Sequence, residues 1–536
     1  MKPFLMGAET EYAVSGRDGK TALDARVVHS LLYRALQRER HWLPDVVAGE
    51  ALYLENGGRF YLDYGYHPEY ATPECFTPQQ IAAHDKAGEM LLDLARRRTQ
   101  ADKPGLSLTI LKNNLHPLLP DDVTWGSHES YTSWVEPAAA ARTLLPHLVS
   151  RTIYAGSGCL SAHAGGMGFE LSQRARHVHH TLGSDTIGDR ALFCTRVRKN
   201  SDRSASQGWT RAHLISKDAH RSPFGPYLTY GVTGLLFVLL NERHEVGKGL
   251  ELAHPLQALR TVSCDPSLRV RVPLADGRKL TALEIQETYR EECESVVQRG
   301  GLPEWAGEVV RHWGETLATL AKDPLRMARR LDPFYKLFVY EHELSRAGCS
   351  WGELLDALQR LSGLRHQCLP RVITALLEGD DTRLTAEERK QFNDARERAQ
   401  LSRPGVMERL HLAVRLQQFD VAYHEVGGLH DQLTESGHLE RVVLSPEDVE
   451  RATREAPPGG RAAARSALIR RKRDPGWLCE WRYLYHPRSG EIVDMRNPFG
   501  DRFESATWNG LLASQPNDVE VQEIAGQIGR HWFQAQ

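Results

Sequence analysis

Two glutamates separated by a single residue, Glu9 and Glu11, constrain this chain more than any other feature. They lie in Phe4-Leu5-Met6-Gly7-Ala8-Glu9-Thr10-Glu11-Tyr12-Ala13-Val14, a segment predicted to be a β-strand. Strand side chains at i and i+2 share one face, so the two carboxylates project together from the sheet. Neighbouring carboxylates repel and raise one another's pKa unless a cation sits between them. A hard divalent cation such as Mg²⁺ resolves the conflict. An isolated E-x-E is common, however, and alone it reads as a solvated strand face. A metal is implied only if the rest of the chain supplies further ligands.

With 536 residues the chain is long enough for a large core and for more than one domain. Its formal net charge of −2 provides no global basic field of the kind that marks nucleic-acid binding. The eight cysteines form no C-x-x-C pair, which argues against a zinc ribbon or a disulfide framework and fits a reducing cytoplasm. The apolar run after Met1 is too short for a signal peptide, and no window approaches 18 uninterrupted apolar residues. The expectation is a cytoplasmic protein without a membrane span and without a nucleic-acid partner.

The first half mixes strands and helices. Gly58 to Tyr64 alternates as a strand does. Thr77-Pro78-Gln79-Gln80 is a capping box with proline at the first helical position, opening a helix that runs to about Arg98. Leu106–Leu111 and Gly231–Leu240 read as strands or buried apolar segments, the second too short to assign by periodicity. From about residue 250 to 425 the pattern is largely helical, with a capping box at Thr385 and a break at Pro404-Gly405 before a helix to about Tyr423. Ser445 starts one more helix, which Pro457-Pro458-Gly459-Gly460 ends, and an aromatic-rich remainder is expected to form a small C-terminal domain.

Asp63 closes the alternating strand on the face of Arg59 and Tyr61, and an acid beside an arginine is usually a structural ion pair. A strand end opening into His67-Pro68-Glu69-Tyr70 also displays a carboxylate well, and Glu69 and Glu74 add acids nearby. His128 follows a turn-rich, proline-containing loop, and His213 lies in Arg211-Ala212-His213-Leu214, which is expected to be a strand. A lone histidine on an apolar strand is more often a satisfied core residue, so His128 and His213 matter only where they meet Glu9. Carboxylates with one or two imidazoles suit Mg²⁺ or Mn²⁺ better than zinc. Arg196, Arg198, Arg461 and Arg465 occupy loop-like positions where guanidinium groups would fork onto phosphate. The run Arg470 to Arg473 reads as a solvated basic surface. The chain has no G-x-x-x-x-G-K-[ST] loop, so a nucleotide would be held by metals and arginines.

The ordered segments Met6 to Tyr12, Asn56 to Asp63, Gly65 to Cys75, His84 to Glu89, Lys112-Asn113-Asn114 and Gly126 to Tyr131, followed by Phe419 to His424 and Pro457 to Ala462, resemble the Pup ligase and Pup deamidase superfamily. These are carboxylate–amine ligases related to glutamine synthetase. The resemblance implies an α+β fold: a curved, mainly antiparallel sheet backed by helices, with a small C-terminal domain closing over the nucleotide. The implied division is 1–430 for the catalytic domain and 431–536 for the small one. It further implies ATP with Mg²⁺ (or Mn²⁺) as cofactors. Glu9, Glu11, Glu69, His128 and His213 would be metal ligands, Asp63 the catalytic aspartate, and Arg196, Arg461 and Arg465 the nucleotide-facing arginines. The implied activity phosphorylates a glutamate carboxylate and passes it to a lysine amine, with a small Pup-like, ubiquitin-like modifier and target lysines as partners. The alternatives are an ATP-hydrolysing, phosphotransfer, deamidase or isopeptidase paralogue, and a non-catalytic binding protein that kept the fold.

Gly65 to Cys75 nearly reproduces the ligase-side motif, and only Ser15 to Leu23 stands where the deamidase side carries a long insertion, so the ligase branch is expected. Departures concentrate in loops that would face substrates. Leu115 to Trp125 is long and proline-rich, Ser216 to Ser222 replaces a Gly-Asp-Ser-Asn-Met-Ser-Glu-type loop, and Val197-Arg198-Lys199 replaces acidic and histidine positions. Retained ATP and metal machinery with altered acceptor and modifier sites is the expectation.

Overall fold

Met6–Glu11 (β1) is the fifth strand along the path of a ten-stranded sheet. The computed structural model describes residues 1–46, 49–116, 123–163, 167–185, 188–195, 203–204, 208–471 and 476–534. The other strands of that path are, in chain order, Trp42–Pro44 (β2), Leu52–Leu54 (β3), Arg59–Leu62 (β4), Pro68–Ala71 (β5), Ser127–Ser133 (β6), His180–Gly183 (β7), Ala191–Cys194 (β8) and Trp209–Leu214 (β9). Across the sheet they run β7-β8-β9-β6-β1-β5-β4-β3-β2, and Arg203–Ser204 pairs with β9 off the path. Every pairing is antiparallel except β7 with β8. The mainly antiparallel sheet backed by helices is the expected α+β architecture.

The strand expected from Phe4 to Val14 is two strands in two sheets. Tyr12 interrupts it, donating its N–H to the Pro68 carbonyl, and Ala13–Asp18 then pairs with Leu106–Leu111 and Thr21–Leu23 in a separate three-stranded sheet. A single apolar run cannot report where the chain changes partners. The helix after the Thr77 capping box is longer than expected, Pro78–Asp102 (α1), with both box hydrogen bonds made. Gly231–Leu240 lies inside a helix, Phe224–Asn241 (α2), in which every residue but Leu240 is buried. Burial all round erases the 3.6-residue period that would have identified it. Gly231 is required there by packing, since a Cβ would come within 2.8 Å of a Val309 methyl. This helix is long and apolar enough to cross a membrane, yet it lies inside the protein core.

The far face of β1 sends Met6 and Ala8 into the apolar core, and only Thr10 there meets buried charge. Thr10 donates to Asp85, which with Glu89 on α1 flanks the fully buried Lys112 at 2.5 and 2.9 Å. Arg221, also fully buried, bridges Glu89 at 2.8 Å and Asp431 at 2.6 Å, and Lys86 closes the ring onto Asp431 at 3.0 Å. The surrounding cations outweigh burial and hold the Glu89 carboxyl down at about 2. Charges so buried persist only when paired. The network ties helix Leu429–Glu435 to the N-terminal body.

Beyond it, Gly460–Arg471 (α3) leads to a four-stranded sheet, Leu478–Glu480, Tyr483–His486, Glu491–Asp494 and Ser505–Thr507, followed by helices Trp508–Ser514 and Val519–Gln534. Leu43 of β2 and Tyr53 of β3 share a core with Ile469, Trp477, Leu484 and Val493, which fixes this small unit beside the main sheet.

Candidate active site

Sheet register decides which acids meet. Glu9 pairs with His128 on β6, and Glu11 pairs with Glu69 on β5. His213 comes from β9, the next strand beyond β6, and Asp63 follows β4, whose Tyr61 is the register partner of Glu69. One face of the sheet therefore carries two donor groups. In the first, Glu9, His128 and His213 bring ligand atoms within 4.8 Å of one another; in the second, Glu11, Asp63 and Glu69 do the same. His128 Nδ1 lies 3.4 Å from Glu9 Oε2, and His213 Nε2 lies 3.6 Å from the same oxygen. His128 Nε2 stands 4.0 Å from Glu11 Oε1 and links the groups.

The electrostatics differ sharply between them. Burial pushes the Glu9 carboxyl up, but Arg211 with His128 and His213 outweighs it and holds the group well below the usual carboxylate range. Arg211 Nη1 is 3.2 Å from Glu9 Oε1. Burial, with the Arg211 charge, lowers His213 to about 4, leaving a neutral imidazole suited to coordination. Glu69 goes the other way: burial and then the charges of Glu9, Glu11 and Asp63 raise it well above the usual range. A set of acids that cannot all ionise unaided is what a cation would relieve.

The residues fit a hard divalent cation. His213 Nε2 is buried without a hydrogen-bond partner, and it points at a carboxylate oxygen. Gly126 keeps the space between the groups open, since a Cβ there would lie 2.5 Å from Glu11 Oε1 and closer still to His128 Nε2. The donors are carboxylates and imidazoles without thiolates, a set suited to Mg²⁺ or Mn²⁺.

Both groups open into one cleft of about 930 Å³ that runs from the sheet to Trp481 and Arg482 of the small unit. Glu9, Glu11, Asp63, Glu69, His128 and His213 all line it, so the structure brings these sequence-predicted residues together. Arg461 also lines it, with Nε 2.5 Å from Glu74 Oε1. Arg465 is buried outside the lining, engaged by Glu74 at 2.6 Å, the Gly57 carbonyl at 2.8 Å and the Trp481 carbonyl at 3.3 Å. Arg196 and Arg198 lie outside the described residues.

Sequence reasoning missed Arg211, Arg174 and Arg59 in the cleft wall. Arg211 carried a signal, because it stands two residues before His213 and thus on the same face of the same strand. Arg59 is held by Asp45 at 2.7 Å, a partner fourteen residues away that no local pattern reveals.

A family model described as Pup-ligase protein matches residues 4–400 and 371–485. The chain is 30% identical over 513 residues to the Pup--protein ligase of Acidimicrobium ferrooxidans, covering 93% of this chain and 96% of that protein. It is 35% identical over 311 residues to the Pup deamidase/depupylase of Mycolicibacterium smegmatis, covering 57% of this chain and 61% of that one. Among solved structures it resembles the Pup ligase PafA in complex with Pup at TM-score 0.70 and 20% identity, covering 99% of this chain and 92% of that one. PafA in complex with ADP is matched at TM-score 0.65 and 21% identity, over 95% and 94% of the two chains.

Proposed function

The chain belongs to the Pup-ligase protein family, and from that premise we propose that it is an ATP-dependent ligase joining a Pup-type C-terminal glutamate to a lysine amine. The observation that carries the reading is the pair of donor groups on one sheet face, with Asp63 the one member of the second group that is not buried. Glu9, His128 and His213 would hold one divalent cation, and Glu11 with Glu69 a second. Such ions neutralise charge on the phosphates of ATP.

Arg211 and Arg461 face the same cleft and supply further positive charge where a triphosphate would lie. A carboxylate is a poor electrophile, so the γ-phosphoryl of ATP first moves to the glutamate oxygen and ADP leaves. The amine nitrogen then bonds to the acyl carbon as phosphate departs. A lysine amine, with a pKa of about 10.4, arrives protonated, and Asp63 takes a proton from it at the cleft rim. The eight free cysteines support a cytoplasmic location for this chemistry.

The test supplies ATP, Mg²⁺ and Pup ending in glutamate, with and without a lysine-bearing acceptor. We expect ADP and an isopeptide product, and a fall in coupling of roughly 10²- to 10⁴-fold in Asp63→Asn. ATP turnover unchanged in Asp63→Ala and Glu9→Ala would refute the enzyme reading. The 35% identity to a deamidase supports a second outcome, in which water replaces the amine and Pup ending in glutamine releases ammonia. The same assay with that substrate separates the two.

A further inference from the structure

The turn that presents Asp63 carries two aromatic rings into solvent. Tyr64 is 82% exposed and Tyr66 is 52% exposed, whereas most large apolar side chains of the fold are buried. The turn is tightly made, with Asp63 N–H donating to the His67 carbonyl and Tyr66 N–H to the Asp63 carbonyl, each at 3.0 Å. Its far side is anchored by the His67 ring stacked on Trp125 with centroids 4.8 Å apart. The left-handed conformation falls not on Gly65 but on Tyr66, at φ +62°. An aromatic side chain held in that region is strained, and strain of this kind gathers at functional positions.

One of the two rings already takes a cation, and the other faces the cleft. The Arg26 guanidinium lies over Tyr66, 5.1 Å from the ring centroid. Tyr64 lines the cleft together with Asp63 and the half-exposed Val123. An aromatic face attracts a cation, and its surface also packs a hydrocarbon stem. A lysine side chain is a compact ammonium on a four-carbon stem, and Asp63 lies next along the chain. Charge complementarity and position both favour the acceptor amine over other occupants.

We infer that Tyr64 and Tyr66 form an acceptor vestibule that selects protonated, alkyl-stemmed primary amines and delivers them to Asp63. This deepens the ligase reading above and rests on it. The rings act on entry of the amine and make no part of the phosphoryl-transfer machinery.

Two amines separate the inference from that reading. Nα-acetyl-lysine methylamide carries the cation and the stem; hydroxylamine is small and uncharged at neutral pH. Each is supplied with Pup ending in glutamate, ATP and Mg²⁺ to the full chain, to Tyr64→Leu/Tyr66→Leu and to Tyr64→Phe/Tyr66→Phe. The leucine pair is expected to raise KM for the lysine probe roughly tenfold at unchanged kcat, while the phenylalanine pair stays within about twofold of the parent. KM for hydroxylamine is expected to stay level in both. An unmoved lysine KM, an equal rise for both amines, or a rise in KM for Pup instead would overturn the vestibule. In each of those cases the parent still forms hydroxamate, so the ligase reading survives. No product from the parent with either amine overturns both.

Discussion

Glu74→Gln reaches further than its position beside the cleft implies. In the native protein Glu74 accepts from Arg461 at 2.5 Å and from Arg465 at 2.6 Å, and the side chains of Glu74 and Arg465 are 15% and 0% exposed. Burial raises the Glu74 carboxyl, but the two arginines outweigh it and bring the group from its ordinary 4.5 to about 2. A shift of that size corresponds to about 3 kcal/mol of native-state stabilisation. Neutralising Glu74 also strands the Arg465 charge in the interior, an effect that typically costs about 3–5 kcal/mol. Both routes converge on the docking of α3, which carries the two arginines.

Hydrogen exchange of the amides in Gly460–Arg471, corrected for intrinsic rates, reads that docking locally. At pH 7 the variant should lose roughly a hundredfold in protection, the equivalent of about 3 kcal/mol. A carboxyl with a depressed native pKa stabilises fully above its ordinary value and loses the effect as pH falls through the native one. The gap between parent and variant should therefore be complete above pH 4.5 and close as pH falls toward 2. Protection within about threefold of the parent at pH 7, or a gap of constant size across the acid range, would show that this ion pair does not hold the helix.

Gly126→Ala places a methyl between His128 and Glu11, so Mn²⁺ affinity measured by electron paramagnetic resonance should fall at least about tenfold with the circular dichroism unchanged. Lys217 Nζ donates to Ser127 Oγ at 2.8 Å and to the Asp218 carbonyl at 2.9 Å, and burial lowers its pKa to about 8. The unfolded chain then binds a proton that the folded one lacks above pH 8, so urea stability should rise by about 2 kcal/mol between pH 8 and 10 in the parent relative to Lys217→Met. Parallel curves would dismiss the effect. Arg461→Ala should weaken ATP binding in titration calorimetry, and an unaltered affinity would remove Arg461 from the phosphate site.

The donor face was legible because strand alternation is a local property. Glu9 with Glu11, and Asp63 after its strand, needed only a period of two to be placed. That His128 and His213 join Glu9 was legible only through the family resemblance and not from local pattern, because it depends on β6 and β9 lying side by side next to β1. The arginines divide along the same line. Arg461 and Arg465 read alike in the sequence and both bind Glu74, nearly four hundred positions earlier, yet one reaches the cleft while the other is enclosed against the Gly57 and Trp481 carbonyls. The α2 segment hid its helical nature through uniform burial. Asp85, Glu89 and Lys112 stood inside motifs that carried the resemblance, but nothing local showed that they neutralise one another behind β1.

The tie between Glu74 and α3 also bears on the order in which the protein comes into being. Translation delivers Glu74 long before Arg461 and Arg465, so this part of the cleft wall waits for counter-charges that leave the ribosome nearly four hundred residues later. A nascent chain that has emerged only past Glu74 thus carries this acid without the arginines that neutralise it, and the cleft wall gains its charge balance only once α3 has been made.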